Sequence, residues 1–168
     1  MIEAVSQVNR PPERSTKTYR AAVIGCGRIG SELAADPKVQ GISTHAGAYT
    51  ACPQTRLVTV CDSLPERLTR CADRWGVAAR YSDPLKMLSA EQPEIVSICT
   101  PDATHYELAL AAMETESCRA ILIEKPLAMS SAHGAELVQK ARSCNITLAV
   151  NYTRRYARGF EQLRDLAA

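Results

Sequence analysis

YRAAVIGCGRIG, residues 19–30, is an apolar run that ends in the spacing G-x-G-x-x-G. Tyr19 to Gly25 reads as a strand rich in Ala, Val and Ile. Gly25 permits a tight turn, Gly27 removes a side chain where a pyrophosphate would approach the backbone, and Gly30 lets a following helix pack close to the strand. Arg28 and Ile29 fill the variable positions of the loop. Free amides at the start of that helix, with the positive end of its dipole, would face the phosphates. The spacing alone is a weak signal; a strand before it and a helix after it make it a dinucleotide-binding loop. A glycine-rich turn without a ligand is the competing reading.

Outward from this loop, short apolar runs alternate with amphipathic ones. Strands are expected at Arg56 to Cys61, Glu94 to Thr100, Ala120 to Glu124 and Ile146 to Val150, with a weaker one at Ala79 to Tyr81. Continuous apolar runs fit strands covered on both faces, as in a parallel sheet. Helices are expected at Pro65 to Trp75, after Asp83-Pro84 with Asp83 as N-cap, at Asp102 to Met113, at Ser130 to Ser143, and from near Tyr156 to the end. The fold class is therefore α/β, a doubly wound parallel sheet of the Rossmann type with the expected order 3-2-1-4-5-6.

The second strand ends in Cys61-Asp62. A carboxylate there can accept both hydroxyls of an adenosine ribose and would repel a 2′-phosphate, which favours NAD over NADP. Asp62 could instead cap the helix at Pro65. Its distance from Gly25 exceeds the usual spacing of about 20 residues, and the excess falls within Ala34 to Pro53. There Asp36-Pro37 breaks the first helix and Ser43 to Thr50 can restart it. This insertion either lines the ligand cleft or is a surface excursion. His45, within it, is not taken as catalytic.

Two further clusters end strands. Thr100-Pro101-Asp102-Ala103-Thr104-His105 follows the third clear strand, on the side where open α/β sheets bind ligands. Thr100 and His105 would line the cofactor there, or Asp102 or Thr100 would cap the next helix while His105 packs on its first turn. Glu124-Lys125-Pro126 ends the next strand. Lys125 could anchor a ribose or substrate hydroxyl, stabilise a developing alkoxide or, if partly buried, exchange a proton. A surface ion pair of little consequence is the alternative.

GCGRIG, VTVCD, CTPDATHYELAL, EKPLA and NYTRRY, in that order, resemble the glucose–fructose oxidoreductase / inositol dehydrogenase / MocA family over residues 19 to about 160. The resemblance implies that Lys125 lies at the junction of nicotinamide and substrate and is the catalytic residue of this chain. It implies that Pro126 follows a cis peptide bond. Thr100, Pro101 and His105 would line the cofactor. Glu124, Lys125 and Pro126 would border it, and Asn151 and Arg154 would lie beside its nicotinamide end. Family members also carry a C-terminal domain that holds most substrate contacts and an acid/base histidine. None of this chain's three histidines matches that role, so the second domain is expected to be absent: the chain is either the front part of a longer enzyme, the favoured reading, or a naturally short relative.

The organisation expected is a leader over residues 1–18, a dinucleotide-binding domain over 19–155 and the start of a crossover helix over 156–168. Hydride transfer between NAD and a hydroxyl-bearing carbon of a sugar, sugar nucleotide or cyclitol is the function implied. A non-catalytic dinucleotide-sensing module working with a partner chain is the alternative. An uncovered apolar face could drive self-association into a homo-oligomer. A short-chain dehydrogenase would need a Tyr-x-x-x-Lys pair after the fourth strand, which is absent. A net charge of +2 without charge runs and an aromatic content of 5% argue against a nucleic-acid partner or an anionic membrane surface. The N-terminal residues contain no long apolar stretch for a signal or span. The seven cysteines, none spaced C-x-x-C, read as buried thiols of a cytoplasmic protein rather than disulfides or a metal site.

Overall fold

The computed structural model of the protein describes residues 17–153 and 158–166. Six strands, β1 (Tyr19–Ile24), β2 (Thr55–Cys61), β3 (Ala79–Tyr81), β4 (Ile95–Ile98), β5 (Ala120–Glu124) and β6 (Thr147–Asn151), form one sheet in the order β3-β2-β1-β4-β5-β6. Every pairing is parallel. The expected fold class and strand order are thus both found, including the weak edge strand β3.

Register aligns the carboxyl ends of the strands. Ile24 lies beside Cys61 and Ile98, Ile98 beside Ile123, and Glu124 beside Asn151. All five neighbouring strand ends therefore open on one edge. Helices α1 (His45–Ala51) and α2 (Pro65–Trp75) cover one face; α3 (Pro84–Glu91), α4 (His105–Met113) and α5 (Ser131–Ser143) cover the other. The central strands are buried on both sides: Ala21 to Ile24 on β1 and Val96 to Ile98 on β4 are almost without exposure. Burying a valine or isoleucine such as Val23, Ile24, Val96 or Ile98 stabilises by about 1.5–3 kcal/mol. A last helix, α6 (Arg158–Leu166), ends the described chain.

Local chemistry places the helix ends. Asp83 accepts from the amides of Leu85 and Lys86 at 2.9 and 3.3 Å, the expected cap. Gly76 closes α2 in the left-handed region at φ 65°. The helix expected over residues 102–113 begins as a 3-10 turn, Asp102–Thr104, and becomes α-helical at His105.

The expected break at Asp36-Pro37 and restart within Ser43 to Thr50 are found, but one expectation is corrected: the glycine loop opens a turn and a 3-10 segment rather than an α-helix. A hydrogen-bonded turn carries the Ser31 amide to the Gly27 carbonyl at 2.9 Å, and a 3-10 segment, Glu32–Ala35, follows. The α-helix proper starts only at His45, capped by Thr44 Oγ1 accepting from the Gly47 amide at 3.1 Å. The amides of His45 and Ala46 nevertheless donate to the carbonyls of Ile29 and Gly30, at 3.1 and 3.0 Å. In an uninterrupted helix those carbonyls would serve Leu33 and Ala34. The first helix is therefore spliced, and residues 32–43 loop out between two turns that stack as one. No helix among the described residues is long and apolar enough to cross a membrane.

Candidate functional site

The glycine loop forms a cradle above the ends of β1 and β2. The amides of Gly27, Arg28, Ile29 and Gly30 have no acceptor among the described residues, while those of Gly25 and Cys26 are taken by Cys61 O and Asp62 Oδ2, each at 2.8 Å. A Cβ on Gly27 would meet only Arg67 Nη1, at 3.8 Å, so its side of the loop is open. Four unpaired donors on one turn, with open space before them, fit a phosphate-bearing ligand. The charge of the group comes from the turn's own amides, since a long helix does not start here.

Asp62 is 8% exposed. Its Oδ2 holds the Cys26 amide, and its Oδ1 accepts from the Leu64 amide at 2.8 Å. The cap reading is only partly met: the bond to Leu64 is an Asx turn ahead of α2, and α2 starts without a side-chain cap. Asp62 ties the glycine loop to the end of β2, with its carboxylate beside the loop that a dinucleotide would span.

Beyond β4, Thr100 and Pro101 lie at the surface of the strand-end edge, Thr100 half-buried. Thr104 Oγ1 donates to this loop, at the Pro101 carbonyl, 2.7 Å away. His105 is placed otherwise than expected of a cofactor contact. It is 1% exposed, with Nδ1 2.7 Å from the Pro126 carbonyl and Nε2 2.9 Å from the Thr100 carbonyl. Its ring joins the loops after β4 and β5 from beneath, so it shapes the groove without facing it. The Lys125–Pro126 bond is cis, as the resemblance implies. Lys125 is exposed. Arg154 lies outside the described residues.

Sequence reasoning missed a polar network beneath the strand ends. His45 Nε2 is 3.1 Å from Glu124 Oε1, and its Nδ1 is 2.8 Å from Ser97 Oγ. Tyr49 OH lies 2.7 Å from the same Ser97 Oγ. Asn151 Nδ2 donates to Glu124 Oε1 at 2.5 Å. A carboxylate only accepts, which assigns the imidazole proton to Nε2. With its proton on Nε2, His45 accepts at Nδ1, so Ser97 donates to it and Tyr49, whose phenol burial pushes up to about 12, donates to Ser97. The one available signal was Ser97, a hydroxyl inside the apolar run IVSIC.

Beside this network is a cleft of about 250 Å³, walled by Ile29, Ile42 and Leu122 and bordered by His45, Tyr49 and Asn151. Ile42 belongs to the looped-out segment, so the insertion contributes a wall to this cleft beside the strand ends.

Burial holds His45 below its ordinary range, with the Glu124 carboxylate opposing the effect. The unfolded chain then binds a proton more readily than the folded one. Stability that is full above pH about 6.5 is lost as pH falls below that value, with a limiting slope of about 1.4 kcal/mol per pH unit. Urea midpoints measured from pH 7.5 to 5 are expected to decline, and less steeply in His45→Gln. An equal decline in both would assign the pH effect elsewhere.

Residues 19–152 match the family described as "Oxidoreductase family, NAD-binding Rossmann fold". The chain is 34% identical over 151 residues to a D-glucoside 3-dehydrogenase of Escherichia coli K12, covering 90% of this chain and 39% of that protein. It is 25% identical over 146 residues to a myo-inositol 2-dehydrogenase of Thermotoga maritima, covering 87% and 40%. Among solved structures it is similar to GenD2 from gentamicin A biosynthesis in complex with NAD, with a TM-score of 0.77, 28% identity, and coverage of 96% of this chain and 42% of that one. The chain thus spans about 40% of the length of the curated relatives it matches.

Proposed function

The chain belongs to the oxidoreductase family with an NAD-binding Rossmann fold, and we propose that it holds NAD for a dehydrogenase acting on a hydroxyl-bearing carbon of a sugar, sugar nucleotide or cyclitol. The observation that carries this reading is the set of unpaired amides from Gly27 to Gly30 beside the Asp62 carboxylate. When bound, NAD supplies the hydride acceptor. The residues of this chain orient it. Gly25, Gly27, Arg28, Ile29 and Gly30 supply the pyrophosphate cradle, and Asp62 accepts from the adenosine ribose, disfavouring NADP. Thr100 and Pro101 border the path to the nicotinamide, with Glu124, Pro126 and Asn151 at its far end. Lys125 faces the substrate, where its ammonium stabilises an alkoxide and its amine takes up the hydroxyl proton.

The dinucleotide-binding unit of this reading spans residues 19–155, and substrate contacts beyond Lys125 come from elsewhere in the active enzyme. Free cysteines throughout suit a reducing compartment such as the cytoplasm. No observation favours the alternative of a non-catalytic sensing module.

Calorimetric titration with NAD and with NADP tests the proposal. NAD is expected to bind more tightly. Asp62→Asn, which keeps an acceptor oxygen for the buried Cys26 amide, is expected to weaken NAD by about tenfold and narrow its lead over NADP, as loss of a charge-assisted hydrogen bond implies. Equal binding of both dinucleotides to the unsubstituted chain would overturn the role given to Asp62. Binding of neither would overturn the cradle.

A further inference from the structure

The Glu124 carboxylate stands next in sequence to Lys125 yet pairs with His45 and Asn151 instead of with it. Its side chain is 14% exposed, and its Oε1 receives both the His45 Nε2 proton and an Asn151 amide proton. His45 comes from α1, Glu124 from β5 and Asn151 from β6, and the Glu124–Asn151 register pair brings the last two together. Lys125, by contrast, makes no hydrogen bond or ion pair with any described residue. Residue 126 is held on its other side by His105, through the Pro126 carbonyl at 2.7 Å. The lysine thus emerges from a strand end fixed before and after it by two buried imidazoles.

We propose that His45, together with Asn151, is a positioning residue that sequesters the Glu124 carboxylate from Lys125 and so leaves the Lys125 amine free to face its ligand. This rests on the reading of Lys125 as the substrate-facing group. The physical case is one of competition. A carboxylate that loses buried donors must find others, because an unsatisfied buried charge is costly. The cation adjacent in sequence is Lys125, exposed and one residue past the end of β5. A lysine paired in that way would present less free amine and a neutralised charge. Ser97 and Tyr49 complete the arrangement from β4 and α1. Their donated protons fix the tautomer in which His45 offers Nε2–H to Glu124. The other groups bearing on the network are the thiol of Cys99, near Tyr49 and Glu124, and the exposed Lys125 itself.

The test measures the acylation rate of Lys125 by a water-soluble N-hydroxysuccinimide ester at fixed pH, read by peptide mass spectrometry, with Lys38 and Lys86 as internal references. It needs no cofactor, so its outcome is separate from that of the NAD titration. His45→Ala is expected to slow Lys125 by about two- to fivefold, as a newly formed exposed ion pair implies, without changing the references. Adding Glu124→Gln is expected to restore the rate, and His45→Gln, which keeps a donor, to preserve most of it. A merely structural histidine would not be rescued by removing the carboxylate. If His45→Ala does not fold, Asn151→Ala with and without Glu124→Gln makes the same comparison. An unchanged Lys125 rate in a folded variant, or a slowed rate that Glu124→Gln leaves slow, overturns the proposal.

Discussion

Gly25→Ala and Gly30→Ala are each expected to destabilise the fold by about 4 kcal/mol or more, the range reached only by severe steric or strain effects. Gly25 has φ 95°, which L side chains rarely adopt, and a Cβ there would stand 2.6 Å from the Cys99 carbonyl carbon and 2.8 Å from the Thr100 nitrogen. Both neighbours are backbone. The Gly25 amide is bonded to Cys61 O and the Cys99 amide to Ile24 O, at 2.8 and 2.7 Å. Neither side of the contact can retreat without unpairing the centre of the sheet. A Cβ on Gly30 would fall on the Gly25 carbonyl oxygen, and Gly30 also receives the amide of Ala46 across the helix splice. Domains of this size have about 5–15 kcal/mol in total. Urea denaturation followed by circular dichroism should therefore show little or no cooperative transition at 25 °C. A transition near that of the unsubstituted chain would mean that the loop is looser than its contacts imply.

Gly27→Ala is expected to do the opposite: leave stability within about 1 kcal/mol, as at an uncrowded surface position, and weaken NAD binding by about 100-fold or more. Its Cβ has open space apart from Arg67 Nη1 at 3.8 Å, and its φ is not in the left-handed region. That same open space is where a pyrophosphate must approach the backbone, and a methyl group placed between phosphate and amides lengthens every bond of the cradle. Together the three glycines separate the demands of folding from those of binding within six residues. Calorimetry and urea denaturation on one set of variants read both. Tight NAD binding by Gly27→Ala would move the pyrophosphate off this turn.

The sheet was legible because its strands are covered on both faces. Ala21 to Ile24 reads as an unbroken apolar run, and Val96 to Ile98 as one interrupted only by Ser97, since neither face of β1 or β4 meets water. The cradle was legible because glycines are demanded by close approach, at Gly25 and Gly30. The start of the first helix was not. Its continuity depends on amides at residues 45 and 46 reaching carbonyls at 29 and 30, a pairing that no local window contains. His45 was passed over for a related reason: its partners come from three different strands, and only the aligned strand ends bring Ser97, Glu124 and Asn151 within its reach. For His105 the sequence left lining the cofactor and packing on the first turn of the helix both open, because a histidine following a strand reads the same whether it faces a groove or lies beneath one.

The splice in the first helix gives the two edges of the cleft different freedom to change over time. Residues 32–43 begin and end at turns already fastened to each other, so their length bears on stability only through loop closure, about 0.6 kcal/mol for each doubling. The wall that carries Ile42 can therefore be lengthened, shortened or exchanged for another segment while the domain continues to fold. The floor has no such latitude: Ser97 and Glu124 are tied to each other through His45, Asn151 is tied to Glu124, and each of the three sits on a strand of the sheet. Diversification in this lineage is thus expected to accumulate on the wall and spare the floor, and new ligand preferences should be reached most readily by grafting loops between Ser31 and Thr44.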